Sequence, residues 1–157
     1  LKAHYPVQYM AAVLNSETMD SNNGKRFDQI ERYMKESMQM RIKVLPPNVN
    51  KSTALFRIVG DSIRVGLSSM KGVGLKAATE IEELSPFRDF ENFVESVISA
   101  KNVNKSVVEK LIEEGALADF DVHGDQGIEK YHEIKKHVDY MQKHKLQKSS
   151  MFDDMSF

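Results

Sequence analysis

The 157-residue sequence predicts a mainly α-helical chain with one small β-hairpin. Apolar residues recur at spacings of three and four through most of its length. One short stretch alternates apolar and polar residues around Gly60-Asp61. Good capping residues, Asp89 and Asn104, stand directly before two of the periodic runs.

Residues 3–17 (AHYPVQYMAAVLNSE) read as a first helix, with Pro6 in its first turn and Tyr9, Met10, Val13 and Leu14 on one face. The polar DSNNGK is a turn. Phe27, Ile30, Tyr33, Met34 and Met38 mark a second amphipathic helix ending near Arg41. Its early acids Asp28 and Glu31 and later bases Lys35 and Arg41 suit the helix dipole. Met34, Met38 and Met40 read as core filling. LPPNVN is an extended connector, because Pro46 and Pro47 bar a helix. ALFRIV and SIRVGL form the hairpin over residues 54–67. Leu75 to Leu84 is helical again. A further helix runs from Phe90 to about Ala100, capped by Asp89, with Phe90, Phe93, Val94 and Val97 inward. Asn104 caps the next, which buries Val107, Val108, Leu111 and Ile112 and stops at Gly115. Residues 118–127 read as a loop. Ile128, Tyr131, Ile134, Val138 and Met141 then mark a longer helix, where six lysines stand against three acids between residues 128 and 148. SSMFDDMSF reads as a flexible tail.

The chain is 41% apolar and 29% charged, an ordinary profile for a soluble protein. No stretch approaches the roughly 18 apolar residues of a membrane span, so no membrane partner is expected, and no signal peptide is visible. With no cysteine there is neither a disulfide framework nor a thiolate metal site, and a reducing cytoplasm fits. A formal charge of −1 argues against a large basic face. Residues 64–112 carry seven lysines and arginines and seven acids, so any hold on nucleic acid is local and weak. Leu1, not Met, opens straight into a helix-like segment, and the chain reads as a piece of something longer.

MKGVGLKAATEI, residues 70–81, poses the chemical question. GVGLKA fits a variant of the dinucleotide fingerprint, but that reading needs a second strand about 20 residues on. Here those residues contain Pro86 and a helical FENFVESV. Met70-Lys71-Gly72-Val73-Gly74 also matches the hairpin of a helix-hairpin-helix motif, apolar-x-Gly-apolar-Gly, with Ala77 and Ile81 in step. In that motif the glycines let backbone approach a phosphate, and N–H groups at the next helix start point at it. Lys71 and Lys76 would supply charge, while Val73 packs inward. The competing account is a plain turn that lets two helices pack.

LKAHYPVQYMAAVLNSE, KVLPPNVNKS, IRVGLSSMKGVG and VNKSVVEKLIEEGAL, in that order and at these separations, resemble the alpha subunits of bacterial DNA polymerase III, the family C replicative polymerases. The resemblance covers nearly the whole chain. It implies that residues 1–69 are the later part of a fingers region, that 70–120 form the helix-hairpin-helix region, that 121–148 are a basic amphipathic helix, and that 149–157 form a tail. It implies a nucleotidyltransferase parent extending a primer with two magnesium ions. The palm carboxylates that hold those ions lie upstream in the family and are not in this chain. No catalytic residue or metal ligand is therefore assigned here, and magnesium belongs to the parent.

The resemblance puts Lys71, Gly72, Val73, Gly74 and Lys76 on a hairpin that meets duplex primer-template DNA. It puts Asn102 to Ser106 on a second, degenerate hairpin, with Lys101, Asn104 and Lys105 as its contacts. The alternative there is ordinary helix capping. It also likens LQKSSMFDD to the family's sliding-clamp motif. Met151 and Phe152 fill the two apolar slots, while Gln147 lies one residue early and Lys148 takes its place. A solvated tail is the alternative.

Other features read as ordinary surface. As a calcium loop, the Asp119 to Asp125 stretch would put Lys130 where a bidentate glutamate belongs, so it is a polar loop. His132, His137 and His144 stand five and seven residues apart, the wrong spacing for a helical metal site, and read as solvated. The lysine-rich helix could face DNA or simply solvent.

Three functions remain open. The chain is part of a replicative polymerase whose other parts (palm, exonuclease, further replisome subunits) are its partners; or it binds duplex DNA non-specifically; or it is a stand-alone clamp- or protein-interaction module with little DNA affinity.

Overall fold

The computed structural model describes residues 6–20 and 22–155, with side chains described as far as residue 144. Helix α1 spans Pro6–Met19 and buries Met10, Ala11, Leu14 and Thr18 along one stripe. Tyr9, expected on that stripe, is 40% exposed. It stands about 100° around the helix from Met10, on the stripe's outer flank. Helix α2, Arg26–Gln39, packs across α1 through Ile30 and the fully buried Ser37. Met34 and Met40 pack against this core, but Met38 is 55% exposed and does not fill it. The inward line runs through Ile30, Met34 and Ser37, and Met38 falls one residue past it. Beyond α2, Arg41 adopts a left-handed backbone (φ 64°) and the Ile42 N–H donates to the Ser37 carbonyl at 2.9 Å. That is a Schellman ending on a non-glycine residue.

The expected hairpin is present but shorter than 54–67. Strands β2 (Arg57–Val59) and β3 (Ser62–Arg64) pair antiparallel. A third strand, β1 (Val44–Leu45), joins β3 in parallel, giving the order β1-β3-β2. Two residues ahead of Pro46 carry no alternation from which a strand could be read. Asn15 of α1 grips the sheet like a peptide unit. Its Nδ2 donates to the Phe56 carbonyl at 3.0 Å and its Oδ1 accepts the Phe56 N–H at 2.7 Å.

Apolar burial divides in two. One cluster lies between α1, α2 and the sheet, around Met10, Leu14, Ile30, Phe56 and Ile63. The larger one holds the helices that follow, around Leu67, Ile81, Phe93, Leu111, Ile112 and Leu117. They meet where two main-chain runs lie side by side. The Leu67 N–H donates to the Thr53 carbonyl at 3.0 Å, and Ser52 Oγ to the Val65 carbonyl at 2.8 Å. At this seam Gly66 lies so close that a Cβ would stand 2.5 Å from the Leu55 carbonyl carbon.

Helices α3 (Leu75–Leu84), α4 (Phe90–Ile98), α5 (Lys105–Glu113) and α6 (Gly124–Met155) complete the chain. Asp89 caps α4 by accepting the Asn92 N–H at 2.7 Å. Gly115 (φ 81°) closes α5, where the Ala116 N–H donates to the Leu111 carbonyl at 2.9 Å. The loop expected over 118–127 is shorter, because α6 begins at Gly124 rather than at Ile128. Gly127, which reads as a breaker, lies in the first turn of α6. A Cβ there would meet Ile112 Cγ2 at 2.8 Å. No glycine or proline follows Gly127, and the backbone through 149–155, expected as a tail, continues the helix.

Candidate nucleic-acid interface

The first turn joins a short 3-10 helix, Leu67–Ser69, to α3. Met70 and Val73 are buried, and the Val73 N–H donates to the Met70 carbonyl at 3.1 Å. This anchors the turn from below and leaves Lys71, Gly72, Gly74 and Lys76 exposed. Gly72 sits at φ 99°, a backbone that side chains disfavour. Gly74 differs: its backbone is extended (φ −72°, ψ 164°), and a Cβ there would meet nothing within 4 Å. The fold does not need glycine at 74. As the N-cap of α3, Gly74 supplies no side-chain oxygen. The N–H groups of Leu75, Lys76 and Ala77 therefore have no acceptor among the described residues. Three donors at a helix start, beside two lysines and under an open surface, suit an anion.

The second turn repeats the first at a distance of thirty residues. Residues 71–80 (KGVGLKAATE) and 101–110 (KNVNKSVVEK) follow the same succession of turn, extended and helical backbone. They also follow the same succession of exposed and buried positions. Val103 is buried as Val73 is, and Lys101, Asn104 and Lys105 are exposed. The donors are arranged differently. Asn104 Oδ1 accepts the Val107 N–H at 3.0 Å, and Glu80 Oε1 accepts the Asn102 N–H at 2.7 Å.

Other predicted residues fall away from these turns. Asp119 accepts a hydrogen bond from Asn48 Nδ2 at 2.7 Å and lies 3.8 Å from Lys51 Nζ. Among the described residues no cluster of three or more histidines and acids could hold a metal. His132, expected in solvent, instead bridges α5 and α6, its Nε2 donating to Glu109 Oε1 at 3.0 Å. It lies beside Tyr131 on the inner side of α6. Beside this pair, burial first, and then the charges of Glu109 and Asp139, hold the Tyr131 hydroxyl above its ordinary pKa. On α6, Lys130 lies over the Phe90 ring at 5.9 Å and Lys135 over the Tyr131 ring at 6.0 Å. Gln147, Met151 and Phe152 lie where side chains are outside the described residues.

Sequence reasoning missed Glu80. Aligning KGVGLKAATE on KNVNKSVVEK would have shown it, since position 80 then matches Lys110 on the paired helix.

A comparison with known families matches residues 41–127 to the helix-hairpin-helix motif. The chain is 39% identical over 130 residues to DNA polymerase III subunit alpha of Thermus aquaticus, covering 80% of this chain and 10% of that protein. It is 37% identical over 123 residues to the Bacillus subtilis subunit of the same name, covering 76% and 10%. The chain thus spans about a tenth of the length of these relatives. With more than half of its length matched, and both turns lying inside the match, the chain belongs to the helix-hairpin-helix family, in a form related to bacterial DNA polymerase III alpha subunits.

Proposed function

We propose that this chain holds double-stranded DNA by its phosphate backbone, without reading sequence, in the service of a replicative DNA polymerase. The start of α3 carries this reading. Gly74 leaves three helix-end donors open and keeps the space above them clear, although the fold would accept a side chain there. Lys71, Gly72, Val73, Gly74 and Lys76 form the main contact, and Lys101, Asn104 and Lys105 lie on the second turn. Phosphate contacts of this kind position a duplex and carry no sequence information. The names of the relatives support a role in replication, with the polymerase palm and its magnesium supplied elsewhere.

The finer reading adds a sliding clamp as partner through Gln147, Met151 and Phe152, and a cytoplasmic place of work. Its support is the Met-Phe pair in the sequence alone. Among the described residues no helix is long and apolar enough to cross a membrane.

The test is fluorescence anisotropy of a labelled primer-template duplex across a salt series, with and without sliding clamp. Sequence-blind binding is expected, with log affinity falling by about 0.9 per phosphate neutralised for each tenfold rise in salt. Gly74→Val should abolish that binding and leave a clamp-dependent shift intact, whereas Phe152→Ala should do the reverse. Unchanged duplex affinity in Gly74→Val would overturn the hairpin assignment.

A further inference from the structure

The matched turns differ in the charge that the opposite helix sets against them. Glu80 on α3 and Lys110 on α5 occupy equivalent positions, thirty residues apart. Glu80 reaches the second turn, where its Oε1 accepts both the backbone N–H and the Nδ2 of Asn102. Lys110 lies at the first turn, its Cγ 4.0 Å from where a Cβ on Gly72 would stand. Its Nζ pairs with Glu114 Oε1 at 3.0 Å.

We infer that Glu80 keeps phosphate away from the second turn, so that duplex DNA is gripped by main-chain donors at the first turn alone. The inference rests on the duplex-binding reading. A phosphate approaching Asn102 would meet a carboxylate of like charge and would have to displace it from the N–H that it occupies. The next helix start offers less as well, because Asn104 already satisfies the Val107 N–H. The second turn then contributes the charges of Lys101 and Lys105, which need no free amide. At the first turn no in-chain oxygen competes among the described residues.

The experiment compares Glu80→Ala, Glu80→Gln and Glu83→Ala with the unaltered chain in duplex binding across a salt series, with thermal melting as a check on folding. Glu83 is an exposed acid on the same helix and controls for loss of charge alone. The glutamine variant keeps an oxygen on the Asn102 amide without the charge. Glu80→Ala should bind about threefold or more tighter than Glu83→Ala near 50 mM salt, with a salt slope steeper by about 0.9 for one added phosphate contact. Glu80→Gln should not exceed Glu83→Ala by that margin. Equal gains from Glu80→Ala and Glu83→Ala, or no gain at Glu80, would overturn the inference while leaving duplex binding by the first turn in place. Binding by neither the unaltered chain nor Glu80→Ala would overturn both readings.

Discussion

Gly74 and Asn104 begin α3 and α5 with the same extended backbone, at φ −72°, ψ 164° and φ −104°, ψ 179°, but only Asn104 closes its helix end with a side-chain oxygen. Gly74→Asn copies the second turn onto the first. Its Oδ1 would take the Ala77 N–H, as that of Asn104 takes the Val107 N–H. The variant should melt slightly higher, by a few tenths of a kcal/mol, since asparagine outranks glycine as an N-cap. It should also bind duplex DNA severalfold more weakly, because one donor is spent and the approach is blocked. Stability and binding moving in opposite directions, read by melting and anisotropy on one sample, is the expected result. A gain in both would contradict the anion role of the first turn.

Gly66 should tolerate no side chain. A Cβ there would stand 2.5 Å from the Leu55 carbonyl carbon and 2.8 Å from the Phe56 nitrogen, both main-chain atoms that cannot step aside alone. Gly66→Ala should cost about 3 kcal/mol in urea unfolding, at the upper end for overpacking. Gly24 is the control, with open space and an unstrained backbone. Gly24→Ala should be neutral or stabilise by up to about 1 kcal/mol.

Arg41 holds a left-handed backbone at φ 64° to end α2, the position at which α5 uses Gly115 at φ 81°. Such a backbone costs a residue with a Cβ roughly 1–2 kcal/mol. Glycine also adds freedom to the unfolded chain, which offsets part of that gain. Arg41→Gly should therefore stabilise by about 0.5–1 kcal/mol in denaturant unfolding. A loss of stability would mean that the arginine side chain supports the fold.

The buried Tyr131 hydroxyl titrates above its ordinary value, chiefly from burial and then from Glu109 and Asp139. The unfolded chain therefore releases this proton first as pH rises. The stabilising contribution is complete below pH 10, the ordinary tyrosine value, and is lost as pH climbs through the higher folded value. Melting temperatures between pH 8 and 11 should fall less steeply for Tyr131→Phe than for the unaltered chain. Parallel curves would contradict the burial argument.

Much of this was legible in the residues. Asp89 and Asn104 announce their helix starts because a capping oxygen is a local device. The Val73 and Val103 anchors follow from apolar spacing. The first turn was visible because two glycines in one short stretch are rare without a backbone reason. What escaped depends on distant neighbours. β1 exists only because β3 passes beside it. His132 looks solvated until α5 brings Glu109 to it, and Gly127 looks like a breaker until Ile112 closes against it. Glu80 reads as one more surface acid on α3. Only the folding of one repeat against the other brings it to Asn102.

The two apolar clusters meet along hydrogen-bonded main chain rather than through shared side chains. That seam gives the chain a natural line of parting. Local opening of the α1–α2 and sheet unit can expose its own interior while Phe93, Leu111 and Leu117 stay covered, so protection from solvent exchange belongs to two cooperative units. Both turns lie on the side with the larger cluster. Loosening of the smaller unit can therefore come and go without releasing what the turns hold.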